Sequence, residues 1–175
     1  MESQSITAMV LFSPILGLLF LTLVALIFSR KKWKDVMGTF RWENFFFFTA
    51  LIFLQLFLTS FLLENLSTRF EWNDTQVVDA AVEKIEGKGW LGAAELGVSA
   101  LAEELFFRGV LYTLISPLVS VVVFGLAHVG YGSSVEFAGA ILAGIILVRA
   151  RKTTGSIYPG LLAHFLYNAV IVFVR

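Results

Sequence analysis

Between Phe45 and Leu63 the chain carries no charged side chain. As a helix rising ~1.5 Å per residue, such a run approaches the ~30 Å thickness of bilayer hydrocarbon. Further apolar runs lie at about Ile6–Phe28, Gly89–Ile115, Leu118–Val129, Val135–Val148 and Ile157–Val174. The composition agrees: 58% of residues are hydrophobic and 15% charged, against roughly 45–50% and about 25% in a soluble domain. The expectation is an all-α, polytopic membrane helical bundle of about six transmembrane helices. No internal repeat is visible beyond the short run Phe45–Phe48.

The polar connections orient these spans. Arg30, Lys31, Lys32, Lys34 and Arg41 outnumber Asp35 and Glu43 after the first run, and Arg149, Arg151 and Lys152 follow the fifth. The positive-inside rule places both segments in the cytoplasm, with Trp33 and Trp42 at the interface. Residues 64–88 are mainly acidic and read as an extracytoplasmic loop holding a surface helix over Val77–Ile85. Both termini are then predicted extracytoplasmic. Glu2 precedes the first run without any Lys or Arg, so a secretory leader is not expected. Residues 1–88 read as two N-terminal spans plus a polar loop, and 89–175 as a four-helix core. Net charge is zero, which gives no sign of a nucleic-acid partner. There is no cysteine, which excludes disulfides, thiolate metal sites and a cysteine nucleophile. Nothing in the sequence sets an oligomeric state.

Within the run Leu91–Ile115 stand Glu103, Glu104 and Arg108. Each charge at mid-membrane depth costs about 2.5–3.5 kcal/mol to insert, so partners or a function are expected. Helical rise puts Glu103 ~18 Å and His128 ~17 Å from the cytoplasmic ends of their helices, with His164 and Asn168 at ~10–17 Å. Polar groups from separate helices therefore share one level. Glu104 and Arg108 are four residues apart and can pair along one face. Glu103 projects about 100° away without that partner. His164 and Asn168 repeat the four-residue spacing, as do Phe124 and His128. Glu95 also stands among these polar groups within the spans, whereas Gln55 and Glu136 occupy less informative places.

These residue types limit the chemistry. Ser99 and Ser116 have no adjacent His–acid pair, and every Asp lies in a loop, so a serine triad and an aspartyl dyad are not expected. Zinc held by His128, His164 and Glu103 is conceivable, but the helical H-E-x-x-H spacing is absent. There remains a glutamate and a histidine that activate water, with a second histidine and an asparagine donating to an oxyanion. That is amide hydrolysis inside a membrane, with no cofactor and no required metal.

The motifs E-E-x3-R at Glu103–Arg108, F-x3-H at Phe124–His128 and H-x3-N at His164–Asn168 occur in the order of the CPBP (CAAX-protease and bacteriocin-processing, or ABI) family, which this chain resembles over about residues 90–172. The family includes the Ras-converting CAAX endopeptidases; it is a helical intramembrane glutamate protease family, although many members carry a metalloprotease label. The resemblance implies that Glu103 is the catalytic base, that His128 helps it activate water, and that His164 and Asn168 form the oxyanion hole. Glu104, Arg108 and Phe124 fill the supporting positions. It further implies a minimal prokaryotic form in the inner membrane, acting on a membrane protein or peptide: a prenylated CAAX tail, a bacteriocin-type peptide or a C-terminal sorting tail. Two other classes use the same residues. A membrane scaffold or immunity protein would bind a partner through the cavity without cleaving it. A proton-coupled transporter would use carboxylate and histidine as a relay, although the absence of a visible repeat argues against it.

Overall fold

The computed structural model describes residues 2–29 and 31–174, with side chains from Pro14 onward; Arg30, and the side chains of Glu2 and the start of the first run, lie outside the described residues. All named elements are helical, with no β-strand among the described residues. They are α1 (Glu2–Ser29), α2 (Trp33–Met37), α3 (Phe45–Arg69), α4 (Gln76–Glu86), α5 (Trp90–Glu103), α6 (Tyr112–Leu114), α7 (Pro117–His128), α8 (Ser134–Thr154) and α9 (Tyr158–Phe173). Single 3₁₀ turns precede α3 and follow α7.

Local chemistry explains the boundaries. Ser116 caps α7 by accepting a bond from the Val119 amide at 3.1 Å, with Pro117 at the first helical position, where its missing N–H costs nothing. Ser133 caps α8 in the same way through the Glu136 amide at 3.0 Å, and Gly155 ends that helix in the left-handed region at φ 67°. The apolar surface of α4 follows helical spacing, as the surface helix expected over Val77–Ile85 requires.

The run expected as one helix over Gly89–Ile115 is continuous but changes pitch. Residues Glu104–Leu111 form π-helical turns between α5 and α6. Such i→i+5 stretches are rare and tend to mark functional positions. Periodicity alone does not reveal them, because the apolar pattern continues through. Gly109 in this stretch lies against Val36 of α2, where a Cβ would meet the valine side chain at 2.5 Å.

Packing centres on α3, α8 and α9, with α7 lying along α8. Ile52 and Leu56 of α3 meet Leu147 and Ala150 of α8 and Ala163 of α9. A second cluster joins Phe107 and Leu111 of the π-helical stretch to Phe124 and Ala140. On α8, Gly144 faces Val121 and Phe124 of α7, and Gly139 faces Leu63 of α3.

The two basic segments, distant in sequence, lie side by side. Arg151 donates to the carbonyls of Asp35 (3.0 Å) and Val36 (3.1 Å), and the Ile157 amide donates to the Met37 carbonyl at 2.9 Å. Gly38, at φ 76°, fits here because a Cβ would strike the Gly155 carbonyl and the Arg151 guanidinium. At the opposite end, Asp74 accepts bonds from the Ser133 hydroxyl (2.7 Å), the Ser134 amide (2.7 Å) and hydroxyl (2.5 Å), and the Val135 amide (3.2 Å). Trp72 donates to the same Ser134 hydroxyl at 2.8 Å. The acidic connection is thus fixed to the start of α8. The Asp74 carboxyl is held well below the usual carboxylate range, first by the Ser134 hydrogen bonds and then by Ser133.

By length and composition, one helix among the described residues, Trp42–Arg69, can cross a membrane. Pro14–Ser29, Pro117–Tyr131 and Tyr158–Phe173 are apolar but shorter. Along α3 Phe46, Phe47, Phe61 and Leu62 are exposed, as expected of a helix that faces lipid.

Candidate active site

Four elements bring the predicted residues together. Glu103 ends α5, Glu104 and Arg108 belong to the π-helical stretch, Phe124 and His128 lie on α7, and His164 and Asn168 on α9. Gly160 of α9 packs beside Leu147 and Glu104, where a Cβ would make ordinary contacts at 3.5 and 3.6 Å.

Glu104 and Arg108 pair as their spacing predicts, at 3.1 Å between Oε1 and Nη1, with both side chains buried. The same carboxylate oxygen lies 3.1 Å from His164 Nδ1. Glu104 therefore balances a cation and also orients an imidazole. The Arg108 nitrogens find no acceptor at hydrogen-bonding geometry among the described residues. Instead the guanidinium lies over the Phe124 ring, 3.9 Å from its centroid, a favourable contact for a desolvated cation.

Phe124 is the hub. Its ring also packs edge-on against Phe107 at 5.0 Å, tilts against His128 at 4.6 Å and meets His164 at 6.2 Å. One aromatic residue thus touches Arg108 and both histidines. Sequence reading gave it a supporting place without this breadth of contact.

Glu103 faces the other way, as the ~100° offset predicts. Its Oε1 accepts from Ser99 Oγ at 2.8 Å, and its Oε2 lies 3.8 Å from His164 Nε2. His164 therefore stands between the two glutamates, with Nδ1 on Glu104 and Nε2 towards Glu103. Ser99 is a residue that sequence reasoning set aside. Its position four residues before Glu103 was the available signal, since i and i+4 share a helical face.

His128 bonds through Nδ1 to the Phe124 carbonyl of its own helix at 2.8 Å. Because a carbonyl can only accept, Nδ1 carries the proton and Nε2 is left for chemistry. No direct contact joins His128 to Glu103 among the described pairs, and the histidine nearest Glu103 is His164.

His128, His164 and Asn168 line one cavity of about 440 Å³, with Tyr167 and Glu136 beside them. Glu136 reaches this cavity from the first turn of α8. Its place at the first turn of a new span made it inconspicuous in the sequence. Glu95 lies elsewhere, paired with Lys88 at 2.5 Å near the start of α5. Among the described residues no group of three His, Asp or Glu side chains has metal-holding geometry.

The arrangement provides two imidazoles, an amide and a carboxylate that, among the described residues, accepts a side-chain hydrogen bond from Ser99. This set can polarise water and donate to an oxyanion. No significant match appears among curated proteins or solved structures. Residues 87–170 match the family model described as type II CAAX prenyl endopeptidase Rce1-like. That segment holds all three motifs and the whole α5–α9 site, and the match, over just under half of the chain, supports membership of the CAAX protease family.

Proposed function

We propose that this protein is an intramembrane endopeptidase that hydrolyses a peptide bond of a membrane-associated protein or peptide with a water molecule activated by Glu103. The observation that carries this reading is the position of His164 between Glu103 and Glu104, at 3.8 and 3.1 Å. Glu103 takes a proton from water as the water attacks the carbonyl. General-base catalysis by such a group contributes about 10²–10⁴-fold. Ser99 holds one carboxylate oxygen, which leaves the other for the water.

His128 presents Nε2 to the cavity and assists the water or the leaving amine. When both its nitrogens are protonated, His164 donates to Glu104 through Nδ1 and offers Nε2–H to the oxyanion. Asn168, one turn further along α9, donates from its amide. Each well-placed donor of this kind is worth roughly 10²–10³-fold. Arg108 and Phe124 keep Glu104, and through it His164, in place. The bundle crosses the membrane six times in this reading, with both basic segments in the cytoplasm and residues 89–175 as the catalytic core.

Metal has no role in this mechanism. Stoichiometric zinc in purified active protein, with activity lost on chelation and restored by zinc, would overturn that part. The main test is cleavage of membrane-peptide reporters by protein reconstituted in liposomes. Glu103→Gln and His128→Ala are expected to abolish cleavage while leaving helix content and melting unchanged. Full activity in a folded Glu103→Ala protein would sink the assignment. A cellular phenotype that survives Glu103→Gln would point to a binding protein without protease activity.

A further inference from the structure

A second cavity, of about 260 Å³, lies where α3 and α9 begin and α8 ends, and shares no lining residue with the histidine cavity. Its polar wall is Thr39, Arg41, Asn44, Thr153 and Ser156, and no carboxylate lines it. Among the described residues Arg41 forms no ion pair and no side-chain hydrogen bond. The side chains of Thr39, Asn44 and Thr153 are likewise unengaged there, Asn44 preceding α3 without capping it. Ser156 is buried, and its hydroxyl accepts the Tyr158 amide at 3.3 Å, which leaves the hydroxyl proton free to donate. A concave wall of donors around one unpaired guanidinium is complementary to an anion, and the planar fork of arginine suits phosphate oxygens. The backbone of this wall is fixed: Ser156 pairs with Gly38 in an isolated antiparallel bridge, and the Thr154 hydroxyl bonds the Ala150 carbonyl at 2.8 Å.

The other wall is aromatic. Phe40, Phe45 and Phe48 line it, and the Phe40 ring meets Trp42, Phe45 and Tyr158 at 4.7, 5.0 and 5.2 Å. The cluster continues into Phe46, 5.2 Å from Phe45 and exposed on α3 beside the exposed Phe47. An anion free in water gains nothing from such a wall, whereas a headgroup attached to acyl chains does. Basic pockets between membrane helices at headgroup level hold anionic lipids.

We infer that this pocket binds the phosphodiester headgroup of an anionic phospholipid. Arg41 takes the phosphate, the hydroxyls and amide of Thr39, Asn44, Thr153 and Ser156 donate to the remaining oxygens, and the acyl chains lie against Phe46 and Phe47. This binding requires α3 to lie in the bilayer and does not depend on proteolysis.

The test is native mass spectrometry of the full chain in detergent, titrated with phosphatidylglycerol or with phosphatidylcholine of the same acyl chains. Phosphatidylglycerol is expected to bind about five- to tenfold tighter, the scale of one basic group acting on an anionic lipid. Arg41→Gln and Thr153→Glu should each remove that preference with melting unchanged. Lys31→Gln combined with Lys32→Gln should leave most of it, because these exposed lysines do not line the pocket. Inorganic phosphate at the lipid's concentration should not displace the lipid. Equal binding of the two lipids, a preference that survives both pocket variants, or one lost only with the two lysines would overturn the inference. Displacement by inorganic phosphate would make this a free-anion site and overturn the lipid assignment. If one pocket variant does not fold, the other carries the result.

Discussion

His164 Nδ1 lies 3.1 Å from Glu104 Oε1, the same oxygen that Arg108 approaches at 3.1 Å. A residue expected to support the site by neutralising an arginine therefore also fixes the tautomer and direction of an imidazole that faces Glu103. Glu104→Gln is expected to damage both functions. Stripping one partner from a buried pair costs roughly 3–5 kcal/mol, so melting in detergent should fall clearly and cleavage with it. Glu104→Gln combined with Arg108→Met removes the stranded charge. The double variant should regain most of the melting temperature but not the cleavage, since His164 still lacks its carboxylate.

Phe124 offers a cleaner separation of packing from charge. Phe124→Leu retains bulk but loses the ring under Arg108 and beside both histidines. The combined loss of packing and cation–π contact is expected to be about 2–4 kcal/mol. Steady-state kinetics should show a lower kcat with little change in KM, because the ring positions reacting groups and contributes less to substrate affinity. An unchanged kcat in a folded protein would remove Phe124 from the site.

The clamp at Asp74 makes a pH prediction. Its carboxyl is held below the usual range by Ser134 and Ser133. A carboxylate depressed on folding contributes stability above its unfolded value of ~3.9 and loses it as pH falls through the folded value. Hydrogen-exchange protection of the Ser134 and Val135 amides, corrected for intrinsic rates, should therefore stay level from neutral pH to about pH 4 and fall only in stronger acid. In Asp74→Ala the same amides should be weakly protected at every pH. A wild-type protection that declines between pH 7 and 5 would contradict the assignment.

Membrane sidedness can be read directly, because the chain has no cysteine of its own. Single cysteines at Lys34 and Lys152 should react with an impermeant maleimide from the same side of sealed vesicles. Cysteines at Glu71 and Glu83 should react from the other. Labelling of Lys34 and Lys152 positions from opposite sides would refute the six-span arrangement.

Much of the site was readable because membrane insertion makes polar residues conspicuous. Against an apolar background, Glu103, Glu104, Arg108, His128, His164 and Asn168 stand out, and helical rise brings them to one level. The pairing of Glu104 with Arg108 followed from spacing alone. Which histidine meets which glutamate did not, because that depends on how α9 packs against α5 and the π-helical stretch, a relation between distant segments. Glu136 was passed over because a carboxylate at a helix start ordinarily faces water. Ser99 was weighed as a nucleophile, not as a donor to the residue one turn ahead. The all-helical class followed from the apolar runs; that the two basic segments lie side by side depends on contacts between distant residues, Arg151 to Asp35 and Val36. The change of pitch at Glu104 left no trace, since aliphatic and aromatic residues satisfy both periods.

That change of pitch has a consequence for how the chain tolerates insertions and deletions. Ser99 and Glu103 keep α-helical spacing, whereas Arg108 and Phe107 are aimed by the wider turn that follows. Deleting one residue between Leu105 and Phe107 would let the stretch relax towards an α-helix and draw everything up to Leu114 back by about one residue's rise, ~1.5 Å. Arg108 would then stand three residues from Glu104 and shift against Phe124, while Ser99 kept hold of Glu103. The base and its scaffold are set in phase by a single residue of chain length, a quantity that no substitution can restore once it is lost.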